Sequence, residues 1–302
     1  MRWAPIVLLA ACAATAAERG RAAAEREDWE AAALAYAEAT REAPRDARMW
    51  SALGEARYAG EKYGEARAAF EKAAALRPRD ARPRIRVGNT FEIERRWEEA
   101  EAAYRAATDA APRDARAWRT LGTRLARWQK LDAAQEALQR AVQVDPRAPQ
   151  AHHNLALVEA ARGDAEAAAR AFEGAIAVRP DYRPSLLGLA ALRVNAGRHA
   201  EALVLYRRVA EADPPSAAAW IAVGLLEKER GDAERAAQAL DRAVDLARTD
   251  WERSGSPSSA ALYARGLALR GERPQALQVV EAGLRRSPNH PELLELSSEL
   301  GP

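Results

Sequence analysis

Proline recurs along this chain at a fixed interval of 34 residues. Six prolines keep that spacing: Pro44, Pro78, Pro112, Pro146, Pro180 and Pro214. Self-similarity with a period of about 20 to 50 residues is typical of tandem arrays of one supersecondary unit. Because proline lacks a backbone N–H and restricts the residue before it, each of the six is expected to end a helix. The spacing therefore predicts an array of equivalent helical repeats.

Composition favours an all-α array and argues against a nucleic-acid partner. The chain has 302 residues, which suffices for two ordinary domains or for one elongated array. Alanine is abundant while glycine and β-branched residues are sparse, which favours helix over sheet. The 46 basic and 44 acidic residues leave a formal charge of only +2, far below what is typical of proteins that bind nucleic-acid phosphates.

Small and large residues follow the same period as the prolines. When each proline is counted as position 32, the repeats begin near Ala13, Ala47, Ala81, Ala115, Pro149, Arg183, Ala217 and Pro257. Position 8 is often glycine and position 20 is alanine in all eight repeats, as expected where two helices cross closely. Positions 4 and 24 are mostly large and apolar, which suits the space between neighbouring repeats. Each repeat is therefore predicted to be a helix pair that cannot bury its apolar face alone.

Two internal motifs resemble the tetratricopeptide repeat. The pattern Trp-x2-Leu-Gly begins at Trp50 and Trp118, and Ala-x3-Phe or Ala-x3-Tyr begins at Ala66, Ala100, Ala168 and Ala202. The resemblance extends from about Gly20 to Pro288. It implies an all-α fold, an α-solenoid with a right-handed superhelix of about eight helix-turn-helix repeats. The array would occupy residues 12–290, and residues 291–302 would form a C-terminal capping helix.

The register is interrupted once, before the last repeat. Residues 251–256 are extra, and residues 255–259 read Gly-Ser-Pro-Ser-Ser, which is typical of a turn or short loop. We interpret the extra residues as an insertion tolerated at a surface connection rather than as a functional hinge.

The N-terminus resembles the signal peptide of a bacterial lipoprotein. Arg2 precedes an apolar run over residues 3–11 that is too short to span a bilayer. Residues 9–12, Leu-Ala-Ala-Cys, resemble a lipobox, in which peptidase cleavage after residue 11 would leave an acylated Cys12 as a membrane anchor. The alternatives are an ordinary secretory signal or a chance match in an alanine-rich segment.

The same resemblance gives an expected location. Ala13, rather than an aspartate, follows the cysteine, which by analogy with enterobacterial sorting places the protein on the periplasmic face of the outer membrane. The alternative is a cytoplasmic protein whose N-terminus is not a signal peptide.

No group of residues in the sequence points to catalysis, a cofactor or a metal. A single cysteine excludes a disulfide within the chain and a site with several cysteines. None of the four histidines has a ligand or triad partner at a recognisable spacing. His152 and His153 are adjacent on a helix and point about 100° apart, so they are poorly placed to share one ion. We therefore expect neither an enzyme nor a small-molecule substrate.

The resemblance also implies a binding surface, because first helices line a concave groove in this family. Carried onto this sequence, it selects Arg48, Arg82, Arg86, Asn89, Arg116, Arg119, Arg127, His153, Asn154, Leu187, Ile221 and Leu225. Such a groove would be basic at its N-terminal half and more apolar beyond it, as suits an extended or acidic peptide segment. The alternative is that these arginines pair with neighbouring glutamates and only keep the array soluble.

The function expected from these features is a non-catalytic scaffold that binds other proteins. An envelope lipoprotein that helps to assemble a cell-envelope, pilus or secretion machine is the leading hypothesis. A soluble cytoplasmic adaptor, similar to a co-chaperone, is the alternative. An enzyme decorated with repeats is disfavoured because the array leaves no other segment long enough to fold by itself.

Overall fold

The computed structural model describes residues 14–301, and every regular element within that range is an α-helix. An N-terminal unit ends at Pro146 and a C-terminal unit begins at Arg147. The N-terminal unit contains α1 (Ala16–Glu25), α2 (Trp29–Glu42), α3 (Ala47–Ala59), α4 (Tyr63–Leu76), α5 (Ala81–Ile93), α6 (Trp97–Ala110), α7 (Ala115–Arg127) and α8 (Leu131–Val144). The C-terminal unit contains α9 (Pro149–Ala161), α10 (Ala165–Val178), α11 (Arg183–Asn195), α12 (His199–Ala210), α13 (Ala217–Glu229), α14 (Ala233–Ser254), α15 (Pro257–Leu269), α16 (Arg273–Arg286) and α17 (Pro291–Leu300). The prediction of tandem helix pairs is confirmed.

Caps and prolines explain where the first helices begin. Asp46, Asp80 and Asp114 are the N-caps of α3, α5 and α7, and each side chain accepts a backbone N–H of the following turn. Pro149 and Pro257 occupy the first turns of α9 and α15, where a missing N–H is tolerated. The sequence thus restarts a helix within a few residues of each proline that ended the previous one.

The core of each helix pair forms where position 8 meets position 24. A Cβ built on Gly54 would lie 2.5 Å from Phe70 Cε1, and one built on Gly88 would lie 2.6 Å from Tyr104 Cε1. Ala66 and Ala100 at position 20 are fully buried, as are the aromatic rings that face the glycines. Small residues therefore let the two helices of a pair approach, which confirms the sequence interpretation of positions 8 and 20.

The turns inside the helix pairs differ systematically between the two units. One residue in each turn has the left-handed backbone conformation, with φ between 58° and 90°. In the N-terminal unit these residues are Glu27, Glu61, Arg95 and Gln129, and in the C-terminal unit they are Gly163, Gly197, Gly231 and Gly271. The same turn is thus built without glycine four times and with glycine four times.

The extra residues before the last repeat lengthen a helix instead of forming a loop. α14 spans 22 residues and ends at Ser254, where the C-cap Gly255, with a φ of 60°, stops the helix. Trp251 packs into the core of the last repeats, with the Arg286 guanidinium 4.6 Å from its ring centroid. The prediction of a loop over residues 255–259 is wrong beyond Ser256, because Pro257 is compatible with the first turn of α15.

The last helix covers the end of the C-terminal unit. Leu293 and Leu296 of α17 are buried and pack in one cluster with Val280 of α16 and Ala264 of α15. Within residues 14–301, no helix combines the length and the apolar character needed to cross a membrane. The predicted signal peptide over residues 1–11 and its lipidation site, Cys12, lie outside the described residues.

Candidate peptide-binding cavity

A cavity of about 480 Å³ opens in the N-terminal unit along the first helices α3, α5 and α7. Six of the predicted groove residues line it together: Arg48, Arg82, Arg86, Asn89, Arg116 and Arg119. The lining includes six arginines, with Arg77 as the sixth, against three acidic residues, Glu55, Asp80 and Asp114. The cavity is therefore net basic, and successive repeats contribute equivalent positions to it.

Two of the arginines are held by the aspartates that cap their own helices. Asp80 accepts the backbone N–H of Arg82 at 3.0 Å and also its Nε and Nη2 at 2.9 and 2.7 Å. Asp46 holds Arg48 in the same way, with Nη2 at 2.8 Å. Hydrogen bonding to Arg82 lowers the pKa of the Asp80 carboxyl, which favours its ionised form.

The third pair repeats this arrangement more loosely. Asp114 accepts the backbone N–H of Arg116 at 2.9 Å, while the Arg116 Nη2 lies 3.4 Å from the carboxylate. The side chains of Arg48, Arg82 and Arg116 remain 73%, 63% and 66% exposed. Each guanidinium is thus positioned at the first turn of its helix while keeping N–H groups available to a ligand.

Deeper in the cavity, one arginine is paired and one is not. The Arg86 Nε lies 2.6 Å from Glu55 Oε1, which ties α5 to α3. Burial raises the pKa of the Glu55 carboxyl, and the charge of Arg86 opposes that rise. The half-buried Arg119 guanidinium has no hydrogen bond or ion pair to any residue in the described range. The exposed Arg77 also has no such partner, so Arg119 is the half-buried cation of the cavity that remains unpaired in the described range.

A buried tyrosine fixes Asn89 at the cavity wall. The Tyr104 hydroxyl lies 2.7 Å from Asn89 Oδ1 and 2.9 Å from Glu92 Oε2, and it donates to one of them at a time. Burial and the nearby Glu92 carboxylate raise the pKa of Tyr104, so its proton stays in place. Arg127 lies outside the cavity lining and donates to Glu92 Oε1 at 2.8 Å. The predicted Arg127 therefore connects to the cavity only through this network.

In the C-terminal unit, His153 is held by packing. Its Nδ1 lies 3.0 Å from the Ser185 hydroxyl, and its ring lies against Phe172 and Tyr182, with centroids 5.5 and 5.7 Å away. Burial lowers the pKa of His153, which favours the neutral ring. The neighbouring Asn154 is half-buried on the same helix, α9. No group of metal-ligating side chains occurs anywhere in residues 14–301.

The apolar positions of the C-terminal unit divide into exposed and buried residues. Leu187 on α11 and Leu225 on α13, two of the predicted groove residues, are exposed. Ile221 is only 6% exposed and lies in the core cluster with Trp220 and Leu186, so its side chain offers a ligand little surface. Sequence analysis missed Leu157 on α9, which is exposed at the same repeat position as Leu225.

A further signal in the sequence was missed. The segment Pro-Arg-Asp-Ala-Arg occurs three times without change, at residues 44–48, 78–82 and 112–116. Its aspartate and second arginine form the helix-capping pairs that line the cavity. An identical five-residue segment in three successive connections was therefore visible in the sequence, while its role depends on geometry.

Comparison with known families agrees with the geometry. Two tetratricopeptide repeat models match the chain, one over residues 18–81 and 119–184 and the other over residues 159–226. The chain belongs to the tetratricopeptide repeat family. Protein CTR9 homolog of Arabidopsis thaliana is 40% identical over 68 residues, which are 22% of this chain and 6% of that protein. The match thus spans only a small part of that relative.

Several solved structures have a similar fold. The pilF structure from Pseudomonas aeruginosa is 20% identical, with a TM-score of 0.57 over 85% of this chain and 99% of that chain. A MamA protein is 20% identical, with a TM-score of 0.51 over 58% of this chain and 95% of that chain. A tetratricopeptide repeat protein from Parabacteroides merdae is 19% identical, with a TM-score of 0.51 over 83% and 97%. At these identities, the similarity concerns the fold alone.

Proposed function

We propose that this protein is a scaffold of the bacterial cell envelope that binds extended, acidic segments of partner proteins along its first helices. Tetratricopeptide repeats act as protein-interaction scaffolds, and the finer assignment to an envelope, pilus or secretion assembly is our proposal. The observation that carries the binding of acidic segments is the net basic cavity on α3, α5 and α7, which six of the predicted groove residues line. The cavity extends over three repeats, and this length suits a peptide better than a small molecule.

The cavity also bears on the alternative that the arginines only solubilise the array. Arg82 and Arg86 do pair with acidic neighbours, as that alternative predicts. Arg119 is different, because it is half-buried and has no such partner in the described residues. An unpaired cation at a cavity wall loses part of its hydration and gains no ion pair in exchange, unless a ligand carboxylate binds to it.

The test of binding replaces Arg119 with glutamate. Full-length wild-type protein and Arg119→Glu are used to capture partners from membranes of the source cells, and captured proteins are identified by mass spectrometry. The matched control is Arg140→Glu, which makes the same charge change on α8, a second helix outside this cavity. We expect Arg119→Glu to lose the partners that wild type and Arg140→Glu both retain. Equal capture by all three proteins would refute binding through this cavity.

The membrane anchor is proposed from the sequence around Cys12 and is tested separately. Cells expressing the wild type or Cys12→Ser are labelled with a palmitate analogue and fractionated. We expect label and outer-membrane location for the wild type, and loss of label for Cys12→Ser. An unlabelled wild-type protein in the soluble cytoplasmic fraction would instead support the adaptor alternative.

A further inference from the structure

The three helix-capping pairs form a regular series at the mouth of the cavity. We call Asp46–Arg48, Asp80–Arg82 and Asp114–Arg116 the Asp–Arg ladder, and each pair one rung. The rungs occupy equivalent positions in three successive repeats, at the starts of α3, α5 and α7. All three arginines line one cavity, so the rungs face the same space.

The spacing of the rungs follows from helix packing. Helices in contact have axes about 8–10 Å apart. α5 contacts α7 directly, and the 2.6 Å Arg86–Glu55 ion pair joins α5 to α3. The charge of Asp114 in the next rung contributes to the raised pKa of Arg82, as expected for rungs at close range. Helix packing thus gives an expected spacing of about 10 Å between successive rungs.

An extended peptide matches that spacing at one interval only. A polyproline II segment advances about 3.1 Å per residue with three residues per turn, so three residues cover about 9 Å and return the side chain to the same face. Side chains three residues apart would then reach successive rungs, whereas side chains two or four residues apart would be out of step by about 3 Å per rung and would point to other faces. The capping aspartates fix each guanidinium in place, which lowers the conformational entropy that a ligand carboxylate must remove on binding.

We propose that the Asp–Arg ladder selects extended peptide segments that carry a carboxylate at every third residue. This inference rests on the proposed function and specifies its ligand. The basic lining of the cavity, six arginines against three acidic residues, favours an acidic rather than a neutral segment. Each ligand carboxylate would accept N–H groups that the capping aspartate leaves free on its arginine.

The test uses three labelled peptides of equal length and charge. Each contains three aspartates, separated by one, two or three neutral residues, and binding to the full chain is measured by fluorescence anisotropy. The peptide with two-residue separations is expected to bind most tightly. An exposed ion pair contributes up to about 1 kcal/mol, so each matched carboxylate should improve affinity by roughly threefold to fivefold.

Two variants connect the preference to the ladder. Arg82→Gln removes the middle rung and should weaken the matched peptide by roughly threefold to fivefold, with little effect on the other two peptides. Arg45→Gln removes an exposed arginine from the equivalent connecting segment before α3, one that does not line the cavity, and should leave the order of affinities unchanged.

Several results would overturn the inference. Equal affinity for all three spacings would do so, as would identical behaviour of Arg82→Gln and Arg45→Gln. Tighter binding of a thymidine oligonucleotide than of any peptide would assign the ladder to phosphate polymers instead. If spacing has no effect while Arg119→Glu still abolishes partner capture, the ladder proposal fails and the proposed function stands.

Discussion

The turns inside the helix pairs give a prediction that isolates one physical effect. Glu61, Arg95 and Gln129 adopt φ values of 58° to 59°, where an L side chain is strained. All three are exposed, and within the described residues their side chains have no hydrogen bond or ion pair. Replacing each with glycine therefore changes the backbone energy and little else.

The magnitude follows from two opposing terms. A left-handed conformation costs a non-glycine residue roughly 1–2 kcal/mol. Glycine recovers that cost but loses roughly 0.5–1 kcal/mol more backbone entropy on folding. The net stabilisation is then about 0.5–1 kcal/mol for each turn. Because the three turns share no partners, the triple variant should gain about 1.5–3 kcal/mol.

Gly163 provides the reverse experiment in the C-terminal unit. Its φ is 86°, and a Cβ built on it has no neighbour within 4 Å, so Gly163→Gln introduces backbone strain without a clash. This variant should lose about the amount that Gln129→Gly gains. The pair of variants exchanges the two ways in which the chain builds the same turn.

The assay needs both a global and a local readout, because repeat arrays often unfold in parts. Urea unfolding followed by circular dichroism gives the global change. Amide hydrogen exchange at the start of α4, α6 or α8 gives the change at each turn. Unchanged or reduced stability of the triple glycine variant by both methods would refute the strain argument.

Three further predictions follow from the packing and the ion pairs. Gly88→Ala should destabilise the protein by about 1–3 kcal/mol in urea unfolding, because Tyr104 is held by two hydrogen-bonding partners and cannot move aside; no loss would mean that α5 and α6 separate freely. Arg207→Ala should cost about 1–3 kcal/mol, since it removes a partner of the fully buried Glu227, whereas Arg235→Ala, at an exposed pair, should cost less than about 1 kcal/mol; equal costs would contradict the role of burial. Asp80→Asn keeps a capping residue but removes the charge that Arg82 stabilises. The pKa of Asp80 is lowered in the folded protein, so its contribution is present above about pH 4 and is lost as the pH falls through the folded pKa. The stability difference between wild type and Asp80→Asn should therefore close on acidification, and a difference that widens would be evidence against the Asp80–Arg82 pair.

The periodic residues made the fold predictable from the sequence. Proline at position 32, alanine at position 20 and glycine at position 8 each satisfy a local requirement, so their spacing locates helix ends and crossings directly. The loop predicted over residues 255–259 was partly wrong because proline suits both a loop and the first turn of a helix. Composition alone does not distinguish those two roles.

The site was predictable in outline only. Family resemblance placed Arg82, Arg86 and Arg119 on one face, but the sequence does not tell which arginine has an acidic partner. Ile221 was expected on the groove surface, and it is buried because Trp220 and Leu186 pack around it. Glu227 was not singled out by the sequence analysis, and in the fold it is fully buried beside Arg207. Each of these outcomes depends on neighbours that are distant in sequence.

The most direct test of the central claim is the hydrogen-exchange footprint of a bound acidic peptide on the full chain. Binding in the cavity predicts slower exchange at the first turns of α3, α5 and α7, where Arg48, Arg82 and Arg116 lie. The second helices α4, α6 and α8 should exchange as before. Protection confined to those second helices, with none at the three capped first turns, would contradict the account.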